Sequence, residues 1–306
     1  MLYIQTLTIL MLILRGVFSL KLRHASLHVI SIEEAPYLAL VLSTNSKHFC
    51  TGTIVNESWV LTAAHCFYDV RGRLTEDDNS VVVVAGTDSL ANAAEDIKNK
   101  VAQIRKSEKL IVHSSYHFSS NFIADLALVQ LDAPLNMTKR TQTAPLDIKA
   151  VETEEGTSSK FSGMVYGFGK IFTNTSHAND GYIKKQTFMI SKRCKCLSRL
   201  WALSYHMDVL SSNTLMCDVD SEDYPGLCSG DQGGPLISNN FLRGVATTTL
   251  YYKDRSECQL QNNPNECGST QTMNLFSDLC FYSQWLTYYV PQYPLVDEFC
   301  EPYTDK

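Results

Sequence analysis

From Tyr37 onward the chain alternates short apolar runs with polar turns, and sustained helical periodicity is missing until near its end. Tyr37–Leu42, Trp59–Ala64, Val81–Ala85, Leu126–Leu131, Met164–Phe168 and Phe241–Ala246 are each the length of a strand and are bounded by turn-forming residues. Leu279, Tyr282, Leu286 and Tyr289 then recur at helical spacing, with Ser277 a candidate cap. Many strands closed by one C-terminal helix predict a β-barrel protein. Glu152–Lys160 is the most loop-like stretch and a candidate joint between two halves, and residues 291–306 read as a polar tail.

The first residues follow a different pattern. Residues 1–14 carry no charge and centre on an apolar run that Arg15 ends. That run falls short of the roughly 20 apolar residues a membrane span needs. Small residues at Val17 and Ser19 fit a signal-peptidase site, so residues 1–19 are expected to be a cleaved signal peptide and residues 20–35 a short N-terminal segment. No membrane span is predicted.

The remaining composition is that of an ordinary globular protein: 306 residues, 44% hydrophobic and 19% charged, with a net charge of −6. A nucleic-acid binder would be basic, so that class is disfavoured. Ten cysteines suit an oxidising compartment and predict disulfides. Cys194-Lys195-Cys196 lacks the spacer of a zinc knuckle, so neither a metal nor a cofactor is expected. Sequons at Asn56, Asn136 and Asn174 are candidate glycosylation sites and agree with an extracellular address. The basic run Lys98, Lys100, Arg105, Lys106 and Lys109 is interleaved with Glu95, Asp96 and Glu108 and reads as a solvated face.

Three segments carry candidate chemistry. Cys50-Thr51-Gly52-Thr53-Ile54 precedes Trp59-Val60-Leu61-Thr62-Ala63-Ala64-His65-Cys66. Asp125-Leu126-Ala127-Leu128-Val129 follows, and then Cys228-Ser229-Gly230-Asp231-Gln232-Gly233-Gly234-Pro235-Leu236. In order and spacing these resemble the signature blocks of the trypsin/chymotrypsin family of serine proteases. Tyr166-Gly167-Phe168-Gly169 and the segment Phe276–Leu286 resemble further family features, and the likeness extends over residues 36–290.

The resemblance implies an all-β fold of two six-stranded antiparallel Greek-key β-barrels with a C-terminal helix. It implies the acyl-transfer constellation, in which a histidine base is oriented by a buried aspartate and backbone N–H groups stabilise an oxyanion. His65 matches the base, Asp125 the orienting acid, and the N–H groups of Gly230 and Gln232 the oxyanion donors. The nucleophile position is Gln232. A carboxamide has no acidic O–H and forms no ester intermediate, and removing the serine from such a site costs a factor of about 10⁶ in turnover. A secreted pseudoprotease that binds a protease, a substrate or an inhibitor is therefore expected. An active endopeptidase and a structural glycoprotein are the alternatives.

Further departures point the same way. The family buries the ammonium of a cleaved Ile-Val-Gly-Gly terminus against the aspartate matched by Asp231. The corresponding segment here is His24-Ala25-Ser26-Leu27 after Arg23. Asp231 is thus expected to lack a partner, and a zymogen-like displacement of its loop would relieve the cost of a lone buried carboxylate. Thr247-Thr248-Thr249 replaces the family's Ser-Trp-Gly wall, Gly226 stands at the pocket base, and Asn274 stands at a pocket glycine. The enlarged segment Thr247–Thr270, with Tyr251, Tyr252, Lys253 and Arg255, is the candidate partner contact. The resemblance also pairs Cys50 with Cys66, Cys217 with Cys194 or Cys196, and Cys228 with Cys258 or Cys267. Cys300 is left as the candidate partner of Cys280.

Overall fold

The computed structural model describes residues 28–45, 48–118, 123–146, 160–170, 181–191, 194, 214–219, 226–254, 258–260, 267, 271–291 and 293. The leader, Asn174, Cys196, Arg255 and Cys300 lie outside these residues, as does nearly all of Glu152–Lys160.

Strands β2 (Leu38–Ser43), β3 (Phe49–Asn56), β4 (Trp59–Thr62), β5 (Val81–Ala85), β6 (Gln103–Val112) and β7 (Ala127–Leu131) close a barrel in the order β2-β3-β4-β7-β6-β5. A second ring is built from β8 (Lys160–Gly167), β9 (Lys184–Ser191), β10 (Leu215–Asp218), β11 (Pro235–Ser238), β12 (Phe241–Asp254) and β14 (Thr272–Asp278). Its order is β8-β9-β10-β14-β12-β11, and pairing of β11 with β8 closes it. Counted from its own first strand, each barrel has the order 1-2-3-6-5-4, and every pairing is antiparallel. Outside the rings, β1 (His28–Val29) lies along β9, and β13 (Gln259–Leu260) pairs with β12. The helix α1 (Ala93–Lys98) lies between β5 and β6 in the chain.

Apolar side chains fill each ring. Val41, Ile54, Val60, Val83 and Val129 pack in the first, and Val165, Phe188, Ile190, Met216 and Phe276 in the second. A third cluster joins the two barrels, with Tyr37, Trp59 and Leu128 on one side and Phe168, Leu242 and Val245 on the other. The helix α2 (Ser283–Tyr289) seals that cluster with Leu286, helped by Leu279, Tyr282 and Val290 around it. Ser277 is not its cap. It sits inside β14, paired with Leu215 and Val245, and the helix begins after Tyr282.

Among the described residues the disulfides Cys50–Cys66, Cys194–Cys217 and Cys228–Cys267 brace the structure. Cys258 and Cys280 are also disulfide-bonded.

Candidate functional site

The register of two strands brings the first pair together. Thr62, the last residue of β4, lies opposite Ala127, the first residue of β7. His65 on the turn that follows β4 and Asp125 just ahead of β7 therefore emerge at the same end of the barrel. Asp125 is fully buried and accepts from both the Nδ1 of His65 at 2.7 Å and its backbone N–H at 2.8 Å. Two bonds to one carboxylate fix both the ring and the main chain of His65. Ala124 next to it has φ +52, which is rare for a residue with a side chain. Its N–H donates to the Tyr282 hydroxyl at 3.0 Å, so the approach to α2 holds the strained turn that presents Asp125. Burial works to lower the pKa of His65, but the charge of Asp125 and its hydrogen bond outweigh it, and the net direction is upward.

The loop from Cys228 to Gly234 arrives from the second barrel and is fastened to the first by one residue of β3. Thr51 N–H donates to Gln232 O at 3.0 Å, and Thr51 Oγ1 donates to Gly230 O at 2.7 Å. Thr51 Oγ1 in turn accepts from Phe168 N–H at 3.0 Å. Gly230 has φ +101, a conformation that favours glycine. Its N–H donates to the side-chain Oε1 of Gln232 at 3.0 Å. The carboxamide of Gln232 thus occupies the backbone donor that the motif presents. His65, Gly230 and Gln232 line one open cleft of about 270 Å³, together with His48, Phe49, Tyr68 and Phe118.

Asp231 points the other way, into the second barrel, and it is not alone. Oδ1 accepts from Gly169 N–H at 2.8 Å, and Oδ2 accepts from Cys228 N–H at 2.9 Å and from Lys184 Nζ at 3.0 Å. Lys184 and Asp231 side chains are 1% and 3% exposed. The expected unpaired carboxylate and displaced loop are therefore corrected: β9 supplies an internal ammonium, which also donates to the carbonyl of Lys170. A Cβ on Gly167 or Gly169 would run into Asp231, which explains both glycines of the Gly167-Phe168-Gly169 turn.

Beside the loop, the space between Leu227, β12 and β14 is crossed by Asn274. Its Oδ1 accepts from Leu227 N–H at 2.9 Å and Thr249 Oγ1 at 2.8 Å, and its Nδ2 donates to Asp218 Oδ2 at 3.1 Å. Gln186 of β9 clamps Gly226, accepting from its N–H at 2.9 Å and donating to its carbonyl at 3.2 Å.

Several expectations need revision. Tyr252 is not an exposed anchor. It is fully buried against Leu215, Cys217, Met273 and Leu275, because β12 continues through Tyr251–Asp254 and turns back into β13. Lys253 is exposed and Tyr251 half-buried. Asn136 is exposed, whereas Asn56 is half-buried, with its Oδ1 accepting from Ser58 N–H and its Nδ2 donating to Pro291 O at 3.5 Å. Cys50, His65 and Cys66 lie close enough to suggest a metal trio, but both sulfurs belong to one disulfide. Arg105 from the basic run donates to the carbonyls of Ile104, Ala133 and Pro134, a structural role.

Two closed antiparallel barrels, a His–Asp dyad at their junction and a Gly-Asp-Gln-Gly-Gly loop in the same cleft define a protein of the two-barrel serine-protease class. The trypsin domain family matches residues 27–268. This chain belongs to the trypsin family. A serine protease of Anopheles gambiae is 30% identical over 224 residues, covering 73% of this chain and 70% of the relative. Trypsin-1 of Salmo salar is 26% identical over 252 residues, covering 80% of this chain and 83% of the trypsin. Among solved structures, a mutant of human heparin binding protein shares the fold with a TM-score of 0.60 at 19% identity, over 86% of this chain and 94% of that one. No helix among the described residues is long and apolar enough to cross a membrane.

Proposed function

We propose that this protein is a secreted, non-catalytic homologue of the trypsin family that acts by binding another protein: a protease, a protease substrate or an inhibitor. The observation that carries this reading is the bond from Gly230 N–H to the carboxamide of Gln232. Gln232 stands where the family motif has its serine. It brings no hydroxyl to His65, and it fills the donor on which a tetrahedral oxyanion depends. Removing a single oxyanion donor costs about 10²–10³ in turnover, so the two defects compound.

The Asn274 bridge supports the same reading. It ties together the walls between which the family's primary pocket opens, so a substrate side chain would have to break a hydrogen-bonded strut to enter. His65 and Asp125 keep their geometry because it is also structural: Asp125 holds the backbone of His65 as well as its ring. Secretion is supported by the apolar leader, the disulfides and the exposed sequon at Asn136.

The oxidised, glycosylated protein incubated with a mixed peptide library should yield no new peptide termini above a buffer control between pH 6 and 9. New termini that disappear in His65→Ala would overturn the proposal.

A further inference from the structure

Lys184 stands out because nothing in the cleft chemistry calls for it. A lysine is among the residues least often found fully buried without a partner, and burial of an ion costs several kcal/mol unless it is paired and hydrogen-bonded. Here both ions are paired and hydrogen-bonded. The Nζ of Lys184 donates to Asp231 Oδ2 and to the carbonyl of Lys170, while the remaining capacity of Asp231 is met by the N–H groups of Gly169 and Cys228. Asp231 is also the hinge of the cleft loop. Its N–H donates to Cys228 O at 2.9 Å, its carbonyl accepts from Gly234 N–H at 3.0 Å, and Gly230 and Gln232 flank it. Whatever holds Asp231 sets the direction of the Gly230 N–H.

The described part of the N-terminal segment, from His28 on, is fastened nearby by other contacts. His28 and Val29 lie against Lys185 and Lys184 through main-chain pairing, and Ile30 N–H donates to Ile183 O at 3.0 Å. Ile32 N–H donates to Asp88, which Arg140 holds at 2.7 Å. These contacts anchor the chain on the outer edge of β9, while the Lys184 side chain points through the sheet to Asp231.

We propose that Lys184 is the positioning residue of the cleft loop: its internal ammonium fixes Asp231, so the cleft is fully formed in the uncut chain and does not depend on a new terminus at His24. The inference stands on the Lys184–Asp231 geometry and is independent of whether the cleft is catalytic.

The test is amide hydrogen exchange of residues 226–234 in the oxidised protein. Two forms are compared, one retaining residues 20–23 and one beginning at His24. Both should exchange slowly and equally. Lys184→Met, which keeps the length and removes the charge, leaves a lone buried carboxylate and should speed exchange of this loop by at least about 100-fold. Exchange of β5 should not change. In Lys184→Met/Asp231→Asn no lone charge is left, so exchange should move back toward wild type, which a mere loss of packing volume would not produce. Wild-type exchange in Lys184→Met would overturn the proposal, as would a loop that slows only when the chain begins at His24. If Lys184→Met does not fold, the comparison of the two wild-type forms and the double variant still decide the question.

Discussion

Asp125 shows how one buried carboxylate can do two jobs. Its Oδ1 holds the His65 main chain and its Oδ2 holds the ring, so the dyad is locked from both sides. Burial alone would push the imidazole pKa down, and only the Asp125 charge and hydrogen bond carry it above the ordinary value near 6.5. Because the folded pKa is raised, the protonated dyad stabilises the native state fully below about pH 6.5, and the contribution is lost as pH rises through the folded pKa. In Asp125→Asn the titration midpoint of His65, followed by NMR of the ring protons, should fall below that of wild type. An unchanged midpoint would mean that Asp125 does not set the charge on His65. His65, Gly230 and Gln232 were legible in the sequence because they sit in long contiguous motifs, and Asp125 because its short block falls at the expected distance between them. Lys184 was not legible, because a lysine in a polar-looking stretch reads as solvent-facing until its partner 47 residues away is seen.

At the level of elements, the phase of β9 explains the burial of Lys184. Lys184, Gln186, Phe188 and Ile190 share one phase of the strand and are all buried. A lysine and a glutamine in register with two apolar core residues mark polar groups that need buried partners, and the structure supplies Asp231 and Gly226. The segment after Thr247 misled for the opposite reason. Tyr251, Tyr252 and Lys253 read as an exposed hot spot, but the strand that begins at Phe241 runs on past an irregularity between Ala246 and Thr248 and buries Tyr252. Tyr252→Ala should cost about 3–5 kcal/mol in denaturant unfolding, as large-to-small changes in a core do. The same change at half-buried Tyr251 should cost clearly less. Equal costs would mean that β12 does not extend through Tyr252. The C-terminal helix contains Leu286 and Tyr289 of the predicted spacing, but it starts only after Tyr282, because the candidate cap Ser277 belongs to β14 and is paired on both edges.

Across the whole molecule, two rings with the same strand order meet along an apolar seam, and the cleft forms where their loops interlock. The first barrel contributes His65, Asp125 and the Thr51 fastener, and the second contributes the Cys228–Gly234 loop, Asn274 and the charge pair behind it. The apolar runs give a β protein and locate strands such as Val81–Ala85, and the resemblance carried by the motifs gives the two-barrel class, but the run Phe241–Ala246 is only the first part of the 14-residue β12. The struts of the second barrel could not be anticipated, because each joins residues far apart in sequence, as Asn274 does with Asp218 and Leu227. On the function proposed above, Gln232 stands at the nucleophile position of a trypsin-family frame whose His65–Asp125 dyad is in place. Covalent labelling by a small fluorophosphonate, which needs a serine, a base and an oxyanion donor but no deep pocket, tests that statement most directly. Wild-type protein should remain unlabelled, and Gln232→Ser should be labelled at position 232 in a reaction that His65→Ala abolishes. Labelling of the wild-type cleft, or a Gln232→Ser variant as inert as wild type, would contradict the account.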